Sequence, residues 1–345
     1  MFFRFFPKTI TKTYKKHNFV RFFTVFTCLV SLLACSPVTT TPIKNWQLAV
    51  DGAYAGSLSN DGKWAVISSI HHGMSVWDLS VNSRVYNWSQ QQDNSDNIVS
   101  HIKISPNNSH VLTANRANFG LWNLQSGESI GYWKIRESTI RDVAIASNGK
   151  YLLLGKTNGV VVHVNTKTAR RLEFLGHTEK INTVDVSING RIAMSGGNDF
   201  IAYIWDASSG QVIFQFNHTS RVSKVALDPL GRYAFSADSM KSASIWDLKT
   251  GKLITTLQGT KRHEVFSTVK FSKDGNTMLT GAASSKVSLW DIRTGKRLNN
   301  WHVTPKEAKR PTGAVVYSLA FSDNSNILTL SSSGYAELWQ LPAQQ

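Results

Sequence analysis

Residues 176–216 decide the fold: GHTEKINTVDVSINGRIAMSGGNDFIAYIWDASSGQVIFQF. Four short apolar or alternating segments (181–187, 191–196, 201–206 and 211–216) are separated by turn residues. The first turn contains Asn189-Gly190, a dipeptide that adopts positive φ at low cost. Short strands with a turn every eight to ten residues predict one four-stranded antiparallel sheet.

The same unit occurs seven times along the chain. Six copies end on a tryptophan and the third has Val164 in its place, giving the series Trp77, Trp122, Val164, Trp205, Trp246, Trp290 and Trp339. These positions lie 41–49 residues apart, a period typical of sheets arranged radially around an axis. The sequence therefore predicts an all-β protein, a seven-bladed β-propeller.

The seventh copy lacks an outer strand, since few residues follow Trp339. An orphan strand predicted at residues 46–50 can complete it and avoid an exposed sheet edge. We therefore expect one propeller domain over residues 45–342, closed by its own N-terminal strand. Glycines at the ends of the turns between third and fourth strands (Gly127, Gly210, Gly251 and Gly295) predict bulged hairpins with positive φ.

Residues 176–216 closely resemble a WD40 repeat, and the resemblance implies a buried hydrogen-bonded tetrad of His177, Ser195, Asp199 and Trp205. A buried indole N–H needs an acceptor, and such a chain supplies one. A catalytic Ser–His–Asp role is disfavoured because the spacing buries the serine in a strand. Other copies are degenerate: the fifth has His218, Ser236 and Trp246, with Met240 where the aspartate is expected.

The N-terminal segment predicts export. Six basic residues and no acid precede an apolar run over residues 22–34, too short to span a bilayer comfortably. The run ends in Leu32-Leu33-Ala34-Cys35, which resembles a bacterial lipobox. That resemblance implies a signal peptide over 1–34, a lipidated Cys35 and a tether over 35–44. An ordinary secretory signal or a short uncleaved anchor is the alternative. Ser36 after the cysteine suggests, by analogy with envelope sorting, the outer membrane and its periplasmic side.

Charge and cysteine content limit the partners. The formal net charge of +16 includes six positive charges before Cys35, so about +10 remains after processing. Export argues against nucleic acid and favours anionic partners outside the cytoplasm. Proteins with acidic surfaces are expected, and lipid headgroups or phosphorylated or carboxylated envelope polymers are the alternatives. Cys28 leaves with the signal and Cys35 would be lipidated, so the mature chain has no thiol for a disulfide.

Two neighbouring loops that follow outer strands are basic, and they are the candidate partner-binding residues: Lys261, Arg262, His263, Lys306, Lys309 and Arg310. Long loops on a rigid scaffold are common binding sites, although a solvated charged rim is the alternative. Strand direction predicts that the lipid joins the opposite face of the ring.

No cofactor or metal motif stands out. The inner-strand segments 102–105, 143–146, 222–227 and 269–271 offer mainly Val, Ala, Ile, Lys and Ser. That composition favours a non-enzymatic, membrane-tethered protein-interaction scaffold of the cell envelope. A propeller enzyme or small-ligand receptor that uses the central channel is the alternative, and carboxylates and histidines in the channel would favour it.

Overall fold

The structure is a computed structural model that describes residues 41–69, 71, 73–89, 98–135, 137–240, 242–260, 264–306, 313–322 and 325–342. The chain separates into two compact units, Met1–Pro37 and Val38–Gln345. All described residues belong to the second.

These residues form seven four-stranded antiparallel sheets, the blades, and each runs from an inner strand a to an outer strand d. Blade 1 contains β2 (Ala53–Leu58), β3 (Trp64–Ser69), β4 (Gly73–Asp78) and β5 (Ser83–Trp88). Blade 2 contains β6 (His101–Ile104), β7 (His110–Ala114), β8 (Asn118–Asn123) and β9 (Ser129–Lys134). Blade 3 contains β10 (Ile140–Ile145), β11 (Tyr151–Lys156), β12 (Val161–Asn165) and β13 (Arg171–Phe174), with a 3₁₀ turn at Ser147–Gly149.

Blade 4 contains β14 (Ile181–Val186), β15 (Ile192–Gly197), β16 (Ile201–Asp206) and β17 (Val212–Asn217). Blade 5 contains β18 (Val222–Leu227), β19 (Tyr233–Asp238), β20 (Ala243–Asp247) and β21 (Leu253–Thr256). Blade 6 contains β22 (Phe266–Phe271), β23 (Thr277–Ala282), β24 (Lys286–Asp291) and β25 (Arg297–His302). Blade 7 contains β26 (Val316–Phe321), β27 (Asn326–Ser331), β28 (Tyr335–Gln340) and the N-terminal strand β1 (Lys44–Gln47).

The N-terminal strand closes the ring, as the sequence predicts. β1 pairs antiparallel with β28, with Lys44 opposite Leu338 and Gln47 opposite Tyr335. The predicted bounds of 46–50 are wrong by a few residues. The amides of Leu48 and Ala49 both donate to the Gly334 carbonyl, at 2.8 and 3.2 Å, and this bend ends the strand at Gln47.

The turns and loops form two faces. In blades 1 to 6 the c–d turn donates a backbone hydrogen bond to the residue before strand b, as Ala207 does to Arg191 (2.7 Å) and Leu248 to Arg232 (3.0 Å). The a–b and c–d turns therefore share one face, which we call the turn face. The d–a and b–c segments form the opposite loop face, where Asn198 donates to the Lys180 carbonyl.

The predicted turn glycines have positive φ: Gly127 (75°), Gly210 (78°), Gly251 (70°) and Gly295 (65°). The c–d ladders of those blades shift register just before each turn, which confirms the bulged hairpins.

Aromatic stacking joins successive blades. A strand-d ring of one blade lies against the strand-c tryptophan of the next, as in Trp88–Trp122 (4.8 Å between centroids) and Phe216–Trp246 (4.0 Å). Such pairs contribute about 0.5–1.5 kcal/mol beyond area burial. Blade 3 offers only Val164, and the strand-d ring of blade 2, Trp133, stacks on Phe119 of its own blade.

Candidate functional site

The four residues of the predicted tetrad in blade 4 form a continuous hydrogen-bond chain. Trp205 Nε1 donates to Ser195 Oγ at 3.2 Å, and Ser195 Oγ lies 2.9 Å from His177 Nε2. His177 Nδ1 lies 2.8 Å from Asp199 Oδ2, which also accepts the Thr178 amide. The chain ties the loop before strand a to the b–c turn.

Burial and electrostatics distinguish this chain from a catalytic triad. Ser195 and Trp205 are completely buried, so no substrate reaches the hydroxyl. Burial alone would raise the pKa of Asp199, but hydrogen bonds from His177 and from two amides lower it below its usual value. The carboxylate is thus held ionised as a structural acceptor.

The indole–hydroxyl hydrogen bond recurs in other blades. Each strand-b hydroxyl accepts an indole N–H, and the pairs are Trp122–Thr113, Trp246–Ser236, Trp290–Thr280 and Trp339–Thr329, at 2.8–3.0 Å. In blade 1 the matching strand-b position is Ile67, which has no acceptor. Trp77 there donates to Ser75 of its own strand at 3.0 Å.

In blade 5 the aspartate near the histidine is Asp238, not a residue at position 240 as the repeat spacing predicts. Asp238 Oδ2, at the end of strand b, lies 3.8 Å from His218 Nδ1, while His218 Nε2 lies 2.9 Å from Ser236 Oγ. Met240 instead donates its amide to Asp238. The aspartate stands two residues earlier than in blade 4, so an alignment by fixed spacing misses it.

The central channel is more polar than the inner-strand segments suggest. Two cavities of about 160 and 240 Å³ lie along the axis and share Lys103 and Lys224 in their linings. Asp185 and Lys270 line the first and His101 and Asp142 the second. Val, Ala, Ile, Lys and Ser still make up most of the lining, as expected, but the segments considered omitted Asp142 and the whole of β14 and so missed the carboxylates.

These groups are buried and perturb one another's pKa values. Burial lowers the pKa of Lys270 to about 8 and lowers that of Lys224, which lies 4.0 Å from Asp142. Burial would raise the pKa of Asp142, but Lys224 and Lys103 lower it overall. Burial raises the pKa of Asp185 despite hydrogen bonds from two amides. The channel therefore holds a buried, partly compensated set of charges.

One predicted partner-binding residue lies within the described part of the chain. Lys306 Nζ is 3.5 Å from Asp51 Oδ1 on the loop face, and His71 Nε2 is 2.7 Å from Asp51 Oδ2. Lys306 is thus ion-paired. The others, together with Cys35, lie outside the described residues: Lys261, Arg262, His263, Lys309 and Arg310.

Metal ligands and membrane-spanning helices are two further features to consider in the described part of the chain. Within these ranges no group of His, Cys, Asp and Glu side chains is arranged to hold a metal ion. Among the same residues, no helix has the length and hydropathy to cross a membrane.

Comparisons with known proteins agree with this geometry. The family model "WD domain, G-beta repeat" matches residues 169–206 and 251–291, and each match ends on a Trp-Asp pair. No curated protein sequence matches. Among solved structures, a chain from "Crystal Structure of Mitotic Checkpoint Complex" is similar with a TM-score of 0.71 and 17% identity, covering 94% of this chain and 99% of that one. At that identity the likeness concerns the fold alone. The chain is a seven-bladed β-propeller in which two stretches, residues 169–206 and 251–291, match the WD40 repeat model.

Proposed function

We propose that the protein is a non-enzymatic protein-interaction scaffold, tethered to the bacterial cell envelope by a lipid on Cys35. WD40 propellers are typical protein-interaction scaffolds. The observation that carries the proposal is where the chain joins the ring. The Ile43 amide donates to the Leu338 carbonyl (2.7 Å) at the start of β1, on the turn face. An anchor on Cys35 therefore leaves the loop face free for a partner.

The proposed partner is a protein with an acidic surface that binds the basic loops of blades 5 and 6. Lys261, Arg262, Lys309 and Arg310 supply the charge there. Lys306 contributes less, since Asp51 already offsets its charge.

Affinity capture with crosslinking tests this partner. The variant Lys306→Glu/Lys309→Glu/Arg310→Glu is compared with wild type and with a control of equal charge change, Arg116→Glu/Lys134→Glu/Lys180→Glu. The control residues are exposed at the loop-face ends of blades 2 to 4. We expect the first variant to lose its partners and the control to keep them. Recovery of the same partners by all three proteins would refute the docking site.

The proposed location is the periplasmic side of the outer membrane, supported by the lipobox-like Leu32–Cys35 pattern and Ser36. Labelling with a radioactive fatty acid should depend on Cys35 and disappear in Cys35→Ser. Incorporation that survives the substitution would contradict the anchor. Density-gradient separation of inner and outer membranes tests the location.

The charged channel favours a second candidate function, a receptor for a small anion. The linings contain Lys103, Arg141, Lys224 and Lys270 against Asp142, Asp185 and Asp228. Asp228 is already paired with Arg232 at 2.7 Å, so positive charge is in excess. Titration calorimetry with phosphate and with small dicarboxylates tests it. Binding that disappears in Lys224→Met supports a receptor, and the absence of heat for every anion contradicts one.

A further inference from the structure

Surface charge is distributed unevenly between the two faces. Twelve exposed Lys and Arg side chains lie on the described part of the turn face, against three exposed acids, Asp61, Glu128 and Asp274. The twelve are Lys44, Lys63, Arg84, Lys167, Arg170, Arg171, Arg191, Lys249, Lys252, Lys273, Arg293 and Lys296. The described part of the loop face exposes five cations against four acids: Arg116, Lys134, Arg141, Lys180 and Arg221 against Asp51, Glu137, Glu173 and Glu179.

The positive charge of the turn face is largely uncompensated. Of the twelve cations only Lys63 has an ion pair among the described residues, with Asp78 at 3.6 Å. Other acids on this face are occupied by their own turns. Asp206 accepts hydrogen bonds from the Ser208 hydroxyl and from the Ser208 and Ser209 amides, and these lower its pKa to about 2.

The turn face also presents apolar side chains at its edges and turn tips. Val81, in the c–d turn of blade 1, is 68% exposed and Leu230, in the a–b turn of blade 5, is 66% exposed. Ile43, where the chain joins the ring, is 55% exposed. Isolated apolar side chains within a basic surface suit the boundary between headgroups and acyl chains.

We propose that the turn face lies against an anionic phospholipid surface, so that the loop face points away from the membrane. For this orientation the inference relies on the proposed lipid anchor. The nine residues from Cys35 to Ile43 span at most about 30 Å, so a lipid there keeps the ring near the bilayer. Within that reach, anionic headgroups attract the turn face, with its twelve exposed cations against three acids, more strongly than the described part of the loop face. The basic loop residues Lys261, Arg262, Lys309 and Arg310 remain available to the proposed acidic partner.

The expected effect is measurable. Each Lys or Arg close to an anionic surface favours the membrane-bound state by about fivefold, and the attraction decays over about one Debye length. Reversing the charge of four turn-face cations should therefore abolish docking, and high salt should do the same in wild type.

The test uses the mature lipidated protein in vesicles of phosphatidylcholine, with or without phosphatidylglycerol. Lysines are labelled with an amine-reactive, membrane-impermeant reagent and measured by mass spectrometry. Phosphatidylglycerol should slow the labelling of Lys249, Lys273 and Lys296 severalfold and leave Lys180 unchanged. Salt should remove the difference.

Two variants of equal charge change assign the effect to one face. Lys249→Glu/Lys252→Glu/Arg293→Glu/Lys296→Glu changes the turn face, and labelling is then followed at Lys167 and Lys273. Arg116→Glu/Lys134→Glu/Lys180→Glu/Arg221→Glu changes the loop face. Protection should disappear in the first variant and persist in the second.

Three outcomes would overturn the proposal. The first is equal labelling of the turn-face lysines in both kinds of vesicle, and the second is protection of loop-face Lys180 instead. The third, from the same labelling on isolated cell envelopes, is protection of the turn-face lysines that requires an acidic protein rather than phosphatidylglycerol. Flotation with phosphatidylcholine vesicles tests the anchor separately, because neutral vesicles do not attract the basic face. If the protein fails to float, the anchor is wrong, and flotation with phosphatidylglycerol vesicles then still tests the turn face.

Discussion

The substitution Ser195→Ala tests the physical role of the blade 4 hydrogen-bond chain. It removes the partner of the Trp205 indole N–H (3.2 Å) and of His177 Nε2 (2.9 Å), both buried. A buried polar group without a partner costs about 1–3 kcal/mol, so two such groups predict a loss of about 2–6 kcal/mol in unfolding free energy.

Urea unfolding followed by tryptophan fluorescence measures this loss. Ser69→Ala is the matched control, since Ser69 Oγ is buried and has no hydrogen-bond partner among the described residues. We expect it to be close to neutral. In a Trp205→Phe background the cost of Ser195→Ala should fall by about 1–3 kcal/mol, because the indole N–H is absent. A change within about 0.5 kcal/mol of wild type for Ser195→Ala would refute the structural role.

Three further predictions concern stability and its pH dependence. Gly190→Ala should lower the Tm of thermal unfolding more than Gly231→Ala does. Both glycines have positive φ (74° and 72°), but a Cβ at 190 would lie 2.2 Å from the Tyr151 ring, whereas one at 231 meets nothing within 4 Å. Equal shifts in Tm would contradict the importance of the Tyr151 contact. Burial lowers the pKa of Lys270 to about 8, so the unfolded chain binds the extra proton between about pH 8 and 10.5. Wild-type stability should rise with pH over that range and Lys270→Met should reduce the rise, leaving the part that comes from Lys224, whose pKa burial also lowers. An unchanged rise in Lys270→Met would exclude Lys270 as a source. Burial also lowers the pKa of His218 below 6.5, so its neutral form stabilises the fold above pH 6.5 and this contribution is lost on acidification. The loss of stability at acidic pH should be smaller in His218→Gln than in the control His302→Gln, which changes an exposed residue. Identical pH profiles for the two variants would contradict this role of His218.

The repeat was predictable from the sequence because each strand-c tryptophan has a defined partner. The spacing of Trp205, Trp246 and Trp290 reflects one indole per blade, each donating to a strand-b hydroxyl. Ring closure was predictable too, since a blade short of one strand and an unpaired strand at the other end fit together.

What the sequence missed depends on which way side chains face. Asp142 and Asp185 stand among apolar residues in β10 and β14, and their position in the channel follows only from the blade geometry. Asp238 was missed because it lies near His218 from a position two residues after Ser236, whereas Asp199 contacts His177 from a position four residues after Ser195. The basic turn face is likewise spread over six blades, and no run of the sequence reveals it.

The most direct test of ring closure is a disulfide across the β1–β28 pair. Gln47→Cys and Tyr335→Cys are introduced together in a chain whose Cys28 and Cys35 are replaced by serine, since these two positions are register partners. Gln47→Cys with Gln340→Cys is the control, five residues out of register at about 3.4 Å per residue. The closed ring predicts rapid oxidation of the 47–335 pair and none of the 47–340 pair. A 47–335 pair that stays reduced, or equal oxidation of both pairs, would contradict closure by the N-terminal strand.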